Sequence, residues 1–352
     1  MQKNKNISIW MALLAAGLFG ASAPLAKLLL DNVDPIPMAA LLYLGSGLSA
    51  ALASRWIFKP GQEAKLGRAN WPWLAGAVLA GGVGAPILLM AGLKITPAAL
   101  AALLLNFETV ATALIAYLFF KESIGRKTVI SIVLITIAVI LLSWSSSGEW
   151  GFSLGALAVL GACFLWGLDN NFTNQISAHN PLLIVAVKGL GAAAFSMILS
   201  LISGQVFPSV PAALAAMALG AVSYGASITL FVLSMRQLGA ARTSALFASA
   251  PFMGAVLSFI LFKDNLTLVF LAATVLMVAG VWVLVSENHA HSHVHAVETH
   301  HHRHVHDEHH QHAHQAHDPA VIKGEHAHEH SHAALEHSHA HTPDLHHRHE
   351  HG

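Results

Sequence analysis

The chain has 352 residues, 55% of them hydrophobic and only 10% charged, against roughly 25% charged in a typical soluble domain. That composition excludes a disordered protein as a whole and argues against a water-soluble enzyme. The formal charge of zero joins two unlike pieces: residues 1–286 hold 15 Lys+Arg and 8 Asp+Glu, whereas residues 287–352 hold 3 Lys+Arg, 10 Asp+Glu and 25 of the 26 His.

Crossing a hydrocarbon core takes about 20 apolar residues per helix. Ten runs meet that need: 7–30, 36–57, 72–93, 98–120, 128–146, 153–176, 181–203, 211–235, 240–262 and 266–286. Breakers separate them, among them Asp34-Pro35-Ile36-Pro37, Lys59-Pro60-Gly61, Thr96-Pro97 and Asn180-Pro181. The first run is too long for a signal-peptide core and lacks a clear cleavage site, so it reads as a retained helix. Eleven Lys and Arg fall on the side of the N-terminus and only Lys94 and Lys263 on the other. Positive charge stays inside, so both termini are predicted to be cytoplasmic in a multi-pass cell-membrane protein.

Small residues recur in the helices, at Gly17, Gly20, Gly45, Gly47, Gly189, Gly191, Gly220 and Gly225. They permit close packing in lipid, where no hydrophobic force drives helices together. Gly81-Gly82-Val83-Gly84-Ala85-Pro86 is a different signal. It should loosen a helix at mid-membrane, which is tolerated only where the backbone is buried or lines a cavity.

A repeat is visible at an offset of 142 residues. The block from Lys94 to Phe119-Phe120-Lys121-Glu122 matches that from Gly239 to Leu261-Phe262-Lys263-Asp264. Upstream, Leu18-Phe19-Gly20 matches Leu165-Trp166-Gly167, and Leu44-Gly45-Ser46-Gly47 matches Lys188-Gly189-Leu190-Gly191. Five runs per copy is an odd number, so the second copy should enter the membrane inverted, an arrangement characteristic of transporters. The predicted fold is therefore an all-α polytopic membrane protein of ten transmembrane helices in two inverted five-helix repeats, 7–146 and 147–286. A disordered cytoplasmic tail, 287–352, follows. No Walker motif is present, and no nucleophile–base set points to an enzyme.

The stretch Gly20-Ala21-Ser22-Ala23-Pro24, Asn106-Phe107-Glu108, Phe120-Lys121-Glu122 and Ala250-Pro251 resembles the drug/metabolite transporter superfamily, and within it the EamA-type ten-helix transporters. The resemblance covers about residues 7–286. It implies a secondary-active carrier of a small organic solute, with export the expected direction. Members usually carry Glu-Pro in the fourth span. Here Glu108 is followed by Thr109, while the second copy keeps Pro251 and lacks the acid, so the pattern is split between the copies.

Ionisable groups at membrane depth are costly and mark candidate sites. Glu108 lies about 15 Å into its span, near the midplane, where low dielectric disfavours a charged carboxylate; that suits proton coupling. Asn106 is on the same span and Thr112 one turn beyond Glu108. Asp169 and Lys188 lie at similar depth on adjacent antiparallel spans and are expected to pair. Trp166 and Asn170 accompany Asp169 and could stack on or hydrogen-bond a solute. Lys27, near the outer end of its span, and Tyr224 complete the substrate or coupling set. Tyr43, Ser223 and Ser227 are weaker candidates, and Cys163 reads as a packed residue.

In the tail, His300, His301, His302, His304 and His306 form a dense run, and His289, His291, His293 and His295 alternate with one other residue each. The same holds for His326, His328, His330 and His332, and for His337, His339 and His341. Neutral imidazoles without thiolate suit Zn, Ni, Co or Cu. The tail is thus a candidate metal-binding segment, with no other cofactor required. The competing reading is a transition-metal transporter that collects or senses its cargo with this tail. Partners implied are a small solute, the lipid bilayer and divalent metal ions; nothing points to nucleic acid, and the oligomeric state is left open.

Overall fold

The computed structural model describes residues 2–57, 67–122, 124–144, 153–176, 179–238, 240–263 and 266–286, together with the backbone of 290–295, 298–304, 326–332 and 335–340. In chain order the long helices are α1 (Asn6–Leu29), α2 (Pro35–Ile57), α3 (Arg68–Ile95), α4 (Ala98–Phe120), α5 (Arg126–Ser143), α6 (Leu154–Asn174), α7 (Pro181–Ile202), α8 (Val210–Met235), α9 (Ala250–Phe262) and α10 (Leu268–Val285). Among the described residues, eight of these combine the length and hydropathy of a membrane crossing, all but α6 and α9. The sequence predicts ten. Helix α6 carries the polar run Asp169-Asn170-Asn171 near its end, and α9 is parted from the helix Ala240–Phe247 by a turn at Ala248-Ser249.

The helices bend at defined places. In α3 the segment Val78–Gly84 is π-helical, and in α8 so is Ala221–Ala226. Helix α4 breaks between Ala98–Leu104 and Phe107–Phe120, where the Asn106 N–H turns back to the Leu103 carbonyl at 3.0 Å. Before α9 the Ser249 N–H turns back to Leu246 in the same way, at 3.2 Å. Both α4 and α9 then end in a lysine with left-handed backbone, Lys121 at φ 55° and Lys263 at φ 54°. A non-glycine residue rarely adopts that conformation, so its recurrence where the two sequence blocks match gives the repeat a local structural counterpart.

Glycines set the closest helix contacts. Gly47 of α2 lies against the backbone of Gly189 and Leu190 in α7, and Gly20 of α1 against Ala250 and Gly254 in α9. Gly220 of α8 abuts the Leu42 carbonyl of α2, and Gly45 faces Met217 in return. The packed centre includes Met38, Leu42, Leu89, Met90, Leu93, Leu103 and Leu104. Trp56, Leu118, Ile202, Leu268 and Trp282 are exposed on the outside, as befits a surface that meets lipid rather than water.

The backbone of β1 (Ala290–His295) pairs antiparallel with β4 (Leu335–Ala340), and β2 (Glu298–His304) with β3 (His326–His332). Alternation of His with a second residue type has period two, the period of a strand.

A Gly220→Val substitution should place two methyl groups against the α2 backbone. Such overpacking costs about 1–3 kcal/mol. The expected outcome is a lower melting temperature in detergent, read by the loss of monodisperse protein on heating.

Candidate functional site

The polar centre is built from one face of α6. Trp166, Asp169, Asn170 and Thr173 are spaced i, i+3, i+4 and i+7, so they line up on one side of the helix. Asp169 is 5% exposed. Both its carboxylate oxygens accept from Lys188 Nζ of α7, at 2.5 and 2.7 Å, and Thr173 Oγ1 donates to it at 3.0 Å. The expected pairing of these two charges is what the structure contains.

The ion pair sits against the π-helical turn of α3. A Cβ on Gly81 would collide with the Asp169 carboxylate, so this position must lack a side chain. The turn also creates an acceptor. In a π register the Gly81 carbonyl should receive the N–H five residues on, but that residue is Pro86, which has none. A buried carbonyl needs a donor. Two side chains supply one each: Tyr43 Oη at 2.8 Å and Trp166 Nε1 at 3.0 Å. Four helices, α2, α3, α6 and α7, thus meet around one carbonyl and one ion pair.

Glu108 lies beside this cluster. Its Oε1 accepts from Asn170 Nδ2 at 2.9 Å, and the same amide donates to Thr112 Oγ1 at 3.1 Å. Thr112 in turn donates to the Glu108 carbonyl at 2.8 Å. Among the described residues, the cavity between these groups measures about 170 Å³. Glu108, Trp166, Asp169, Asn170, Lys188 and Tyr224 all line it, and so do Phe19, Tyr43 and Ser46. Tyr224 meets Phe19 edge-on at 5.7 Å and Tyr43 at 5.9 Å, so one wall is aromatic and the other charged. A second, larger space of about 440 Å³ starts at the same Glu108 and is lined toward Glu122 and Asn174.

Two residues from the predicted set lie elsewhere. Lys27 donates to the carbonyls of Leu93, Lys94 and Thr96 at 2.5, 3.1 and 2.9 Å, closing the C-terminal end of α3, where a cation meets the negative pole of the helix. Asn106 is buried in the break of α4 and donates to Leu103 O at 3.0 Å and toward Met277 Sδ at 3.8 Å. Cys163 is fully buried. Phe19, Ser46, Val185, Gly189 and Ile228 also line the cavity, and sequence reasoning did not single them out for a solute. The repeat carried a signal for Phe19, which stands where the second copy has Trp166. The tail histidines have no described side-chain positions; among the described residues, no three His, Cys, Asp or Glu converge on a point.

Removing one charge of the ion pair should be worse than removing both, because the survivor stays buried alone. Breaking a buried pair costs about 3–5 kcal/mol. Asp169→Asn and Lys188→Met should each lower the melting temperature more than the double variant does; additive losses would contradict the pairing.

Comparison with known proteins agrees with this architecture. A model described as the EamA-like transporter family matches residues 6–144 and 153–286. An uncharacterized transporter of Methanothermobacter thermautotrophicus is 27% identical over 284 residues, covering 76% of this chain and 82% of that protein. A solved crystal structure of a protein shares the fold with a TM-score of 0.58 at 21% identity, covering 79% of this chain and 95% of that one. With its apolar helices and the family match over most of its length, the chain belongs to the EamA-like transporter family of multi-pass membrane proteins.

Proposed function

We propose that the chain is a secondary-active exporter that carries a small organic metabolite by alternating access. In this reading it has ten spans, in two inverted five-helix units of 7–146 and 147–286, with both termini in the cytoplasm. The observation that carries the proposal is the mid-bundle cavity. Its lining comes from α1, α2, α4, α6, α7 and α8, hence from both units. Sites at the interface of inverted repeats serve alternating access because one unit can rock against the other around a fixed solute. The paired breaks and lysine caps of α4 and α9 support an equivalence of the units.

Glu108 is the coupling carboxyl in this scheme. Asp169 and Lys188 neutralise each other, whereas Glu108 accepts from the neutral Asn170 amide. A proton and a solute can therefore compete for it. Trp166, Asn170 and Tyr224 would orient the solute through ring faces and hydrogen bonds. The competing metal-transporter reading has less support, since no cluster of ligating side chains lines a route among the described residues.

The tail is proposed to bind Zn, Ni, Co or Cu through its alternating histidines, acting as a store or sensor and not as part of the route.

Two tests follow. In proteoliposomes screened with labelled metabolites under a pH gradient, Glu108→Gln should lose at least tenfold in gradient-driven transport and lose its pH dependence. Wild-type rates with unchanged pH dependence would remove the coupling role. Deleting 287–352 should leave the melting temperature of the bundle unchanged while abolishing most zinc binding by equilibrium dialysis. Zinc binding retained by the shortened protein would place the metal in the bundle.

A further inference from the structure

The larger space beside Glu108 has a chemistry of its own. On α4 it is lined by Glu108, Thr109, Thr112, Ala113 and Ala116, and on α6 by Asn170, Asn171 and Asn174. The α4 residues follow i, i+1, i+4, i+5 and i+8, one stripe along a helix face, and the α6 residues follow i, i+1 and i+4. The stripe from Glu108 to Ala116 is about 12 Å long at 1.5 Å per residue. Glu122 marks its far end, just past the Lys121 cap, where its N–H returns to the Ala116 carbonyl at 3.1 Å.

Among the described residues, this lining holds two carboxyl groups, two hydroxyls and three amides, and no cationic side chain. None of the aromatic residues that wall the solute cavity takes part. Hydroxyls and amides on facing helices are costly against hydrocarbon, so a groove so lined suits water better than lipid. Carboxyl groups at its two ends attract cations and repel anions. Among the described lining residues, Glu108 and Asn170 alone belong to both spaces.

We propose that this α4–α6 groove is a water-filled access path for small cations, which reaches Glu108 from the Glu122 end without passing through the aromatic cavity. The path rests on the transporter reading, in which Glu108 is the coupling carboxyl. It assigns solute and coupling ion to separate routes that meet at one side chain. Asn170, hydrogen-bonded to Glu108 and lining both spaces, stands at the divide.

Thiol labelling tests this without knowledge of the solute. Wild type serves as the blank, because its lone Cys163 is fully buried. Ala113→Cys and Ala116→Cys proteins of wild-type size-exclusion profile are placed in liposomes. They are treated with a trimethylammonium and with a sulfonate methanethiosulfonate reagent of similar size. The cationic reagent should react at least tenfold faster, and Glu122→Gln should cut that ratio at least threefold. Equal rates in sodium and choline buffers assign the path to protons, and slower labelling in sodium assigns it to sodium. Equal rates for the two charged reagents would overturn the proposal. So would labelling by membrane-soluble N-ethylmaleimide alone, which would turn the stripe toward lipid. Labelling reads access and not transport, so its outcome is separable from that of the Glu108→Gln assay.

Discussion

One backbone carbonyl, that of Gly81, organises the polar centre of this protein. Hydrocarbon offers no water to an unpaired polar group, so any break in a helix must be satisfied from within. The π-helical turn of α3 ends at Gly84, the Pro86 just beyond it cannot donate, and the orphaned Gly81 carbonyl takes hydrogen bonds from Tyr43 of α2 and Trp166 of α6. The same glycine leaves room for the Asp169 carboxylate, which holds Lys188 of α7. Packing, an orphaned backbone carbonyl and buried charge are therefore joined at one point.

That point is also where the two halves of the chain meet. Gly47 and Gly189 bring α2 and α7 into backbone contact, and the cavity opens beside them. The halves are alike in their breaks and caps but unlike in their charges. The ion pair belongs to the second half and the lone carboxyl, Glu108, to the first.

Much of this was legible in the sequence because lipid imposes strong rules. Apolar runs of span length, the Lys and Arg bias and the rarity of buried charge pointed to the helices, Glu108 and the Asp169–Lys188 pair. Gly81-Gly82-Val83-Gly84-Ala85-Pro86 was readable as a loosened helix. Its role as an acceptor was not, because the donors come from residues 38 and 85 positions away. Lys27 misled for a related reason: a lysine near a helix end looks free in one dimension, and its three carbonyl partners lie on another helix. Asn106 looked like part of a site because it neighbours Glu108, but the break in α4 turns it toward α10. The reduced hydropathy of α6 was itself informative, since the polar residues that weaken it as a span are those that build the site.

The central claim is that the polar centre at Gly81 holds the solute and that the surrounding bundle folds without needing it to function. The direct measurement is gradient-driven transport, in proteoliposomes, of whichever metabolite the wild type carries, compared between wild type and Gly81→Ala at matched reconstitution. A methyl group there must displace the Asp169 carboxylate from Lys188. The account predicts a folded, monodisperse Gly81→Ala protein that has lost at least tenfold of the transport rate. Transport by Gly81→Ala at the wild-type rate would contradict it.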